Sequence, residues 1–318
     1  MPDDERPSGL RGTGLRQVCA AAKGPLVARF PELQLNVTLE GFSEREATAA
    51  ARAWCAELGN TSGGPKSPAY TIAMEDGTVR ARSGGGWRPR LVSDGEGDRV
   101  FLRDGVIAIG PGRRRAVLRR RAGCEPVDAL ETALMHAASL EGVGLLHAAA
   151  FELDGQRVLA VGASGSGKST LAAAALTLGG RIVSDDAVLL GRDRAGALTA
   201  RTVCRDLRLR AASVAVVSRD LRALLVRSSG ADGERWLLRR ESAPGRFAES
   251  FAPGVALRIS LDRRRRGCSL RALSGSELLA TLIASASPLL LSARYREESE
   301  GLTPLLASAA DSMRGFEV

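Results

Sequence analysis

The stretch GASGSGKST, residues 162–170, decides how the fold of this chain is interpreted. It fits the pattern G-x-x-x-x-G-K-[ST], which is typical of a loop that holds nucleotide phosphates. The run RVLAV before it predicts a strand and the run STLAAAALTL after it predicts a helix, so backbone N–H groups and a helix N-terminus converge on one point. We therefore predict a nucleotide-binding loop formed by Gly162, Ala163, Ser164, Gly165, Ser166, Gly167, Lys168, Ser169 and Thr170.

Two side chains of this loop have distinct expected roles. Lys168 is predicted to reach the β- and γ-phosphates, and Ser169 to offer its hydroxyl to Mg²⁺. The chain contains only three lysines, Lys23, Lys66 and Lys168, against a large excess of Arg. A lysine here is informative because an ammonium fits a compact slot that a planar guanidinium would overfill. The alternative is a glycine-rich turn with a chance Lys-Ser pair.

A pair of aspartates follows the next apolar segment. Asp185 and Asp186 end the run RIVSDD, and Asp185 lies 17 positions after Lys168. That spacing accommodates a helix of about three turns, a short loop and a parallel strand that returns the chain beside the phosphates. One carboxylate could then bind Mg²⁺ and the other accept a proton from an attacking hydroxyl. The alternative is a surface turn in which both carboxylates are solvated.

The chain has two histidines, and they stand in different contexts. His147 begins the strand-like run HAAAF, 21 positions before Lys168. The spacing leaves open whether His147 is a core residue or lines the site. His136 falls inside an amphipathic helix expected from Pro126 to about Leu140, where it is a packing or surface residue.

The span from His147 to Leu190 resembles the catalytic core of the HPr kinase/phosphorylase family, bacterial kinases that phosphorylate a serine of a carrier protein. The order of histidine, strand hairpin, glycine loop, short helix and paired aspartate matches that family, and so do both spacings. The resemblance implies a P-loop kinase core of the HPr kinase / phosphoenolpyruvate carboxykinase type. It implies that Asp185 is the base for the acceptor hydroxyl and that His147 lines the site. It also implies that Ser169 and Asp186 serve the metal.

Departures from the family limit what is carried over. The family has Glu after the loop serine, where this chain has Thr170. The family's second signature, an acidic glycine-rich stretch that contacts the carrier protein, is not found in this sequence. We therefore do not predict HPr as the substrate. The chain looks more like divergent HPr-kinase-like proteins, some of which phosphorylate precursor peptides of peptide-modifying gene clusters.

The leading functional prediction is an ATP- and Mg²⁺-dependent kinase that transfers the γ-phosphate to a hydroxyl, with Ser or Thr of a peptide or protein as the acceptor. Asp185, Lys168 and His147 are the predicted catalytic residues, and Ser169 and Asp186 the predicted metal ligands. A small-molecule hydroxyl kinase and a non-catalytic nucleotide-binding accessory protein are the alternatives. A transport-type ATPase is disfavoured, because the acidic pair follows the loop too soon and no L-S-G-G-Q-like signature is found.

Composition restricts the partners and the compartment. The net charge is +9, but Arg is spread over the whole chain and aromatic residues make up only 4%, so no nucleic-acid partner is predicted. The five cysteines lie far apart without a C-x-x-C pair, which is typical of a reducing cytosol. A polar N-terminal stretch and the lack of an apolar run of about 18–20 residues predict neither a signal peptide nor a membrane span. We expect a cytoplasmic protein with no membrane partner, and the family resemblance adds a homo-oligomer.

The whole chain predicts a mixed α/β fold in which a smaller α+β domain precedes the kinase core. Residues 1–16 are expected to form a flexible tail. Residues 17–122 are expected to form the N-terminal α+β domain, with a role in substrate recognition. Residues 123–318 are expected to form the ATP-binding catalytic domain.

Local signals predict the elements of the N-terminal domain. Ser43 and Glu46 form a capping box ahead of a helix that is expected to extend to Leu58 and stop at Gly59. The runs YTIAM, RPRLV, RVFLR, VIAIG and RAVLR follow, separated by Asp-Gly and Gly-Pro-Gly turns. Such turns between strand-like runs predict antiparallel hairpins.

Arginines form two further groups of interest. The runs GRRRAVLRRR at 112–121 and DRRRRG at 262–267 flank strand-like segments and are expected at hairpin tips. They are either solvated basic surface or a mobile clamp for an acidic peptide or the transferring phosphate. A third group follows the paired aspartates, and one of its members is expected to neutralise the γ-phosphate: Arg201, Arg205, Arg208 or Arg210.

Overall fold

The computed structural model describes residues 26–30, 35–53, 57–60, 69–75, 90–94, 97–102, 104–110, 114–121, 127–193, 195–202, 206–230, 233–261, 267–286 and 302–318. The predicted tail and four of the five cysteines, Cys19, Cys55, Cys124 and Cys204, lie outside these residues. Among the helices of the described ranges, none is both long enough and apolar enough to cross a membrane.

The first part of the chain forms one eight-stranded sheet and two helices. The strands are β1 (Leu26–Phe30), β2 (Leu35–Glu40), β3 (Glu57–Asn60), β4 (Ala69–Glu75), β5 (Arg90–Asp94), β6 (Gly97–Phe101), β7 (Gly105–Ile109) and β8 (Arg115–Arg120). The helices are α1 (Glu44–Ala53) and α2 (Val127–Leu140). The strand order is β3-β1-β2-β4-β8-β7-β6-β5. The pairs β2–β4 and β4–β8 are parallel, and the other neighbours are antiparallel.

The strand-like runs of this region are confirmed, and most of the hairpins are too. Strands β5 to β8 form an antiparallel meander, as predicted, although Gly95, Pro111 and Gly112 of the predicted turns lie outside the described residues. Strand β4 differs, because it pairs in parallel with β8 and not with β5. The turn expected after β4, at Asp76-Gly77, lies outside the described residues.

The first helix is shorter than its sequence pattern indicates. Its capping box is confirmed, since the Ser43 N–H donates to the Glu46 carboxylate at 2.9 Å and the Glu46 N–H donates to the Ser43 hydroxyl at 3.3 Å. The expected extension to Leu58 is wrong, because residues 57–60 form β3, which pairs with β1. Tertiary pairing with the open edge of β1 overrides a weak local helix preference here.

Helix α2 packs on the eight-stranded sheet, although it follows the predicted domain boundary at residue 122. Its buried residues join one hydrophobic core with the alternate, inward-facing residues of β2, β4, β7 and β8. That core also takes in Leu145, Ala187 and Leu189 from the second half of the chain. The core of the N-terminal sheet therefore continues past residue 122, and the division of the chain at that residue stays a prediction.

The second part of the chain forms three smaller sheets. A six-stranded sheet has the order β12-β10-β11-β19-β21-β20, a four-stranded sheet β18-β14-β13-β9 and a three-stranded sheet β15-β17-β16. The elements are β9 (Gly144–Leu146), β10 (Ala148–Leu153), β11 (Gln156–Val161), α3 (Lys168–Thr177), β12 (Arg181–Ser184), β13 (Val188–Arg192), β14 (Leu198–Thr202), β15 (Leu207–Leu209), α4 (Ala211–Val214), α5 (Arg219–Ala223), β16 (Leu225–Gly230), β17 (Gly233–Leu238), a 3₁₀ turn (Arg240–Ser242), β18 (Ser250–Phe251), β19 (Val255–Arg258), β20 (Arg271–Ala272), α6 (Gly275–Ser285), α7 (Leu302–Ser312) and β21 (Arg314–Glu317).

Strands β10, β11 and β12 carry the segments that the sequence singled out. Asp154 and Gly155 have φ values of 49° and 73°, the conformation of a type I′ turn, and join β10 to β11 as a tight hairpin. After the loop and α3, the chain returns as β12, which pairs with β10 and not with β11. Strand β12 runs in the same direction as β11, as expected, but β10 lies antiparallel between them.

The two faces of the six-stranded sheet are buried in two separate cores. Alternate residues of β10 divide between them, with Ala148 and Ala150 in one core and Ala149 and Phe151 in the other. The first core is completed by α6 and α7, the second by α3 and the three-stranded sheet. Successive side chains of a strand point to opposite faces of the sheet. Because both faces of β10 meet a core, almost all of its residues are apolar.

The first arginine run is part of a sheet. Arg115 and Arg119 belong to β8, an interior strand, so the expected hairpin tip is wrong for them. They form ion pairs with Glu40 of β2, the strand beyond β4, at 3.1 Å and with Glu75 of the adjacent strand β4 at 2.9 Å. Cross-strand partners of opposite charge thus account for these arginines. The core of the second run, residues 262–266, lies outside the described residues.

His136 is a packing residue, and its burial generates a pH-dependent stability. Its Nδ1 atom lies 2.5 Å from the Tyr70 hydroxyl, and burial lowers the pKa of His136 to about 4, although Asp98 acts to raise it. Between pH 7 and pH 5 the unfolded chain takes up a proton on this histidine that the folded protein does not. The free energy of unfolding should therefore fall by about 2 kcal/mol over this interval.

Denaturant titrations at both pH values measure this effect. His136→Gln should lose this part of the pH dependence, and His147→Gln, which alters the other histidine, should retain it. An identical pH dependence in all three proteins would contradict the assignment.

Candidate functional site

The predicted site residues converge at one edge of the six-stranded sheet. Because β10 is antiparallel to β11 and β12, its first residue lies at the edge where the other two strands end. The register pairs Ala148 with Val161 and Ala150 with Ser184. His147, the glycine loop and the paired aspartates therefore meet, although they are separated along the chain.

The glycine loop connects β11 to α3 with backbone conformations that favour glycine. Gly165 and Gly167 have φ values of 80° and 102°, and Gly167 is the residue before the first turn of α3. A Cβ atom on Gly162 would lie 2.7 Å from the Ile259 carbonyl oxygen and 2.7 Å from the Ser166 hydroxyl. The Ser166 hydroxyl is buried and has no hydrogen-bond partner among the described residues. The loop is thus closely packed at its start and carries a buried polar group.

Lys168 lies at the start of α3 with its side chain folded over the loop. Its Nζ atom donates hydrogen bonds to the carbonyl oxygens of Gly162 at 2.8 Å and Ala163 at 3.0 Å. Burial lowers the pKa of Lys168, and the negative charge of Asp186 acts to raise it. The ammonium group is therefore held at the loop and faces a carboxylate across the site.

The next two residues attach α3 to its surroundings. The Ser169 hydroxyl lies 3.4 Å from the Asp185 carbonyl oxygen, a long contact that joins the start of α3 to the end of β12. The Thr170 hydroxyl lies 2.7 Å from the Ser213 hydroxyl of α4. Thr170, which stands where the resembling family has Glu, thus contacts a neighbouring helix.

Asp185 is a buried carboxylic acid at the end of β12. Only 3% of the residue is exposed, and its Oδ2 atom accepts a hydrogen bond from the Arg208 N–H at 3.3 Å. Burial is the largest of the effects that together raise the pKa of Asp185 to about 7. The charge of Asp186 acts in the same direction, whereas the N–H and the charge of Arg208, and the hydroxyl of Ser169, oppose it.

His147 and Asp186 form a second, more exposed pair. The His147 Nδ1 atom lies 3.1 Å from Asp186 Oδ1, and the two side chains are 46% and 44% exposed. Backbone hydrogen bonds hold both residues, because the His147 N–H donates to Ser285 at the end of α6 and the Ala148 N–H donates to the Asp186 carbonyl oxygen. His147 therefore lies at the solvent-exposed side of the site and not in the core.

Arg240 supports this edge and was not singled out by sequence reasoning. Its guanidinium donates to the carbonyl oxygens of Val183 at 3.2 Å and Ala248 at 3.0 Å and lies 4.8 Å from the centre of the Phe247 ring. Val183 stands two residues before Asp185, so Arg240 ties the strand that carries the buried acid to the segment at Ala248. Because its main partners are backbone carbonyls, no residue pattern in the sequence predicts this contact.

The arginines that follow the paired aspartates are separated by the fold. The Arg208 N–H reaches Asp185, and Arg210 directly precedes α4. Arg201 belongs to β14, where its guanidinium donates to the Arg192 carbonyl oxygen at 3.3 Å. Arg205 lies outside the described residues. The structure connects Arg208 of this group to a paired aspartate, Asp185.

Metal-binding residues are few at this edge. Within the described ranges, no group of three or more His, Cys, Asp or Glu side chains could hold a metal ion together. Cys268 is exposed and unpaired. The predicted ligands Ser169 and Asp186 both adjoin Asp185, Ser169 through its hydroxyl at the start of α3 and Asp186 as the next residue in the chain.

Comparisons with known proteins add little to this geometry. No protein-family model matches the chain, and no curated protein matches it by sequence. Among solved structures, the chain is similar to the HPr(Ser) kinase/phosphatase from Coxiella burnetii. That likeness covers 41% of this chain and 76% of the other, with 16% sequence identity and a TM-score of 0.25. A likeness this weak determines neither the reaction nor the substrate.

Burial of Asp185 generates a prediction for folding stability. A carboxyl group with a raised pKa favours the folded protein at low pH and loses that contribution as the pH rises through about 7. Asp185→Asn keeps the acceptor for the Arg208 N–H but has no charge to bury. Its stability relative to the unaltered protein should therefore increase by about 2–3 kcal/mol between pH 5 and pH 8.

Urea titrations of both proteins across this pH range test the prediction. Asp154→Asn is the matched control, because Asp154 is exposed in a turn and Asn tolerates its positive φ. A difference between Asp185→Asn and the unaltered protein that does not change with pH would show that Asp185 is ionised in the usual range.

Proposed function

We propose that this protein is an ATP- and Mg²⁺-dependent kinase that transfers the γ-phosphate of ATP to a hydroxyl group. The observation that carries the proposal is the buried Asp185 carboxyl group with a pKa of about 7, at the same sheet edge as the glycine loop and Lys168. A base whose pKa lies near the working pH combines the correct protonation state with a strong tendency to accept a proton.

The glycine loop fits the phosphates of a nucleotide. Its glycines expose the backbone, and α3 directs the partial positive charge of its N-terminus to the same place. The buried Ser166 hydroxyl supplies a further hydrogen-bonding group inside the loop. The Lys168 ammonium, now bonded to two loop carbonyls, needs only a side-chain rotation to meet phosphate oxygens.

Ser169 and Asp186 would hold Mg²⁺. A hydroxyl and a carboxylate are the oxygen ligands that this ion prefers, and Mg²⁺ commonly takes one or two protein ligands together with phosphates and water. When bound, the ion supplies charge neutralisation for the phosphates. The role of His147 is to orient Asp186, since its Nδ1 atom lies 3.1 Å from that carboxylate.

Asp185 would act on the acceptor. The acceptor hydroxyl gives its proton to the carboxylate, while its oxygen forms a bond to the γ-phosphorus and the bond from that phosphorus to the β-phosphate oxygen breaks. Burial excludes water from the carboxylate and keeps it from being a strong acid. The Arg208 N–H bonds one of the two carboxylate oxygens, Oδ2.

The acceptor is proposed to be a Ser or Thr of a peptide or protein. The exposed His147 and Asp186 leave the site open to a large substrate, which favours this acceptor over a small hydroxyl metabolite. A non-catalytic, nucleotide-binding accessory protein is the second candidate. It is favoured by Thr170, which contacts Ser213 and replaces the carboxylate of the resembling family.

Removal of the lysine charge is the first test. Lys168→Ala should weaken the binding of a non-hydrolysable ATP analogue by about 10- to 100-fold, the usual effect of losing charge-assisted hydrogen bonds. Isothermal titration calorimetry measures the affinity. Arg181→Ala, which removes an exposed positive charge at the far end of β12, should bind the analogue normally. Unchanged affinity in Lys168→Ala would remove the loop from the mechanism.

The two aspartates should give different phenotypes. Asp185→Asn should leave Mg²⁺·ATP binding nearly intact and slow phosphoryl transfer by roughly 10²–10⁴-fold, the usual contribution of a positioned general base. Asp186→Asn should instead raise the Mg²⁺ concentration needed for half-maximal activity. Transfer of labelled γ-phosphate, followed through Mg²⁺ titrations of both variants, separates the two effects.

If each variant showed the phenotype expected of the other, Asp186 would be the base and Asp185 the metal ligand, and the proposed kinase activity would stand. Full transfer by both variants would instead favour the accessory protein.

A further inference from the structure

Two arginines project from the short strand β15 and the residue that follows it, at the rim of the site. Leu207 and Leu209 are buried in the core beneath α3, whereas Arg208 and Arg210 are exposed. Residues two apart in a strand point to the same face and lie about 7 Å from each other. Because the backbone of Arg210 is still extended, β15 and Arg210 together present two neighbouring arginines to solvent on one face.

These arginines lie beside the candidate base. The Arg208 N–H donates to the Asp185 carboxylate at 3.3 Å, and the positive charge of Arg208 acts on that carboxylate. Arg210 directly precedes α4, whose Ser213 contacts Thr170 of α3. Both arginines are thus held by elements that themselves contact the site.

Arg208 and Arg210 differ from the arginines of the N-terminal sheet. Arg115 and Arg119 are each compensated by a glutamate, at 3.1 Å and 2.9 Å. No Asp or Glu side chain of the described residues forms an ion pair with Arg208 or Arg210. Apart from the longer-range attraction between Arg208 and Asp185, the two positive charges therefore have no acidic partner among the described residues and can bind an external anion.

We infer that the acceptor is an acidic segment, in which carboxylates close to the acceptor Ser or Thr bind Arg208 and Arg210. The inference rests on the proposed kinase function. To lose its proton, the acceptor hydroxyl must come within about 3 Å of the Asp185 carboxylate. An extended chain advances about 3.3 Å per residue, so a side chain two positions from the hydroxyl lies about 7 Å away, a distance similar to the separation of Arg208 and Arg210.

A carboxylate is the partner that this surface fits best. Guanidinium groups bind carboxylates in a bidentate geometry, and the net charge of +9 attracts acidic chains toward the protein. The competing explanation is that the arginines contact the transferring phosphate. In that case they would act equally on every acceptor, whatever its charge, and this difference separates the two explanations.

The test compares short synthetic peptides with one central Ser, identical except for Glu, Gln or Lys two positions before and after it. The unaltered protein should prefer the Glu peptide to the Gln peptide in kcat/KM by about 10-fold at low salt, and less as salt is raised. Arg208→Gln and Arg210→Gln should each reduce this preference by about threefold. Arg210→Glu should favour the Lys peptide over the Glu peptide.

Arg219→Glu is the matched control. It changes the charge by the same amount as Arg210→Glu, and Arg219 is also exposed. However, α5 packs near the C-terminal end of α3, away from Lys168. It should keep the preference for Glu. Equal kcat/KM for the Glu and Gln peptides in the unaltered protein would overturn the inference and leave the kinase standing.

A uniform loss of kcat for all peptides in Arg210→Gln would also overturn the inference, in favour of a contact with the phosphate. If the protein bound ATP but phosphorylated none of the peptides, the proposal of a peptide acceptor would be contradicted, and this inference would fall with it.

Discussion

Burial of the Asp185 carboxyl group is the constraint on which the rest of the site depends. A carboxylate is stable in an apolar interior only if it becomes protonated or gains hydrogen bonds. Here burial and the negative charge of Asp186 outweigh the N–H and charge of Arg208 and the hydroxyl of Ser169, and the pKa of Asp185 rises to about 7. The same environment destabilises the ionised folded protein, which is the usual consequence of holding a base in a reactive state.

That burial is possible because small residues allow α3 to approach the sheet closely. Ala172, Ala173 and Ala175 face the same core as Ala149 of β10. At the turn into β12, a Cβ atom on Gly180 would lie only 2.3 Å from the Glu152 carbonyl oxygen. With larger side chains at these positions α3 would be displaced from β10. The start of the helix, and with it Lys168 and Ser169, would then move away from Asp185.

The parts of the site that follow from local sequence were predictable, and those that depend on tertiary pairing were not. The glycine loop, its flanking strand and helix and the strand before Asp185 each have a strong local signal. The position of β10 between β11 and β12 has none, because a parallel return next to β11 would satisfy the same spacing. Arg240 acts through backbone carbonyls, and β3 forms only because β1 offers it an open edge. Contacts of this kind depend on the tertiary fold, and no residue pattern in the sequence predicts them.

Strand β13 connects the site to the N-terminal sheet. It begins two residues after Asp186, and its period-two alternation places Leu189 in the core beneath α2 and Val188 and Leu190 in the core beneath α6 and α7. Its neighbour β9 is divided in the same way, with Leu145 in the first core and Leu146 in the second. Packed cores resist small displacements, because each loses contact area when its layers separate. Because β13 belongs to both cores, packing against α2 on one face and against α6 and α7 on the other holds the strand that begins two residues after Asp186.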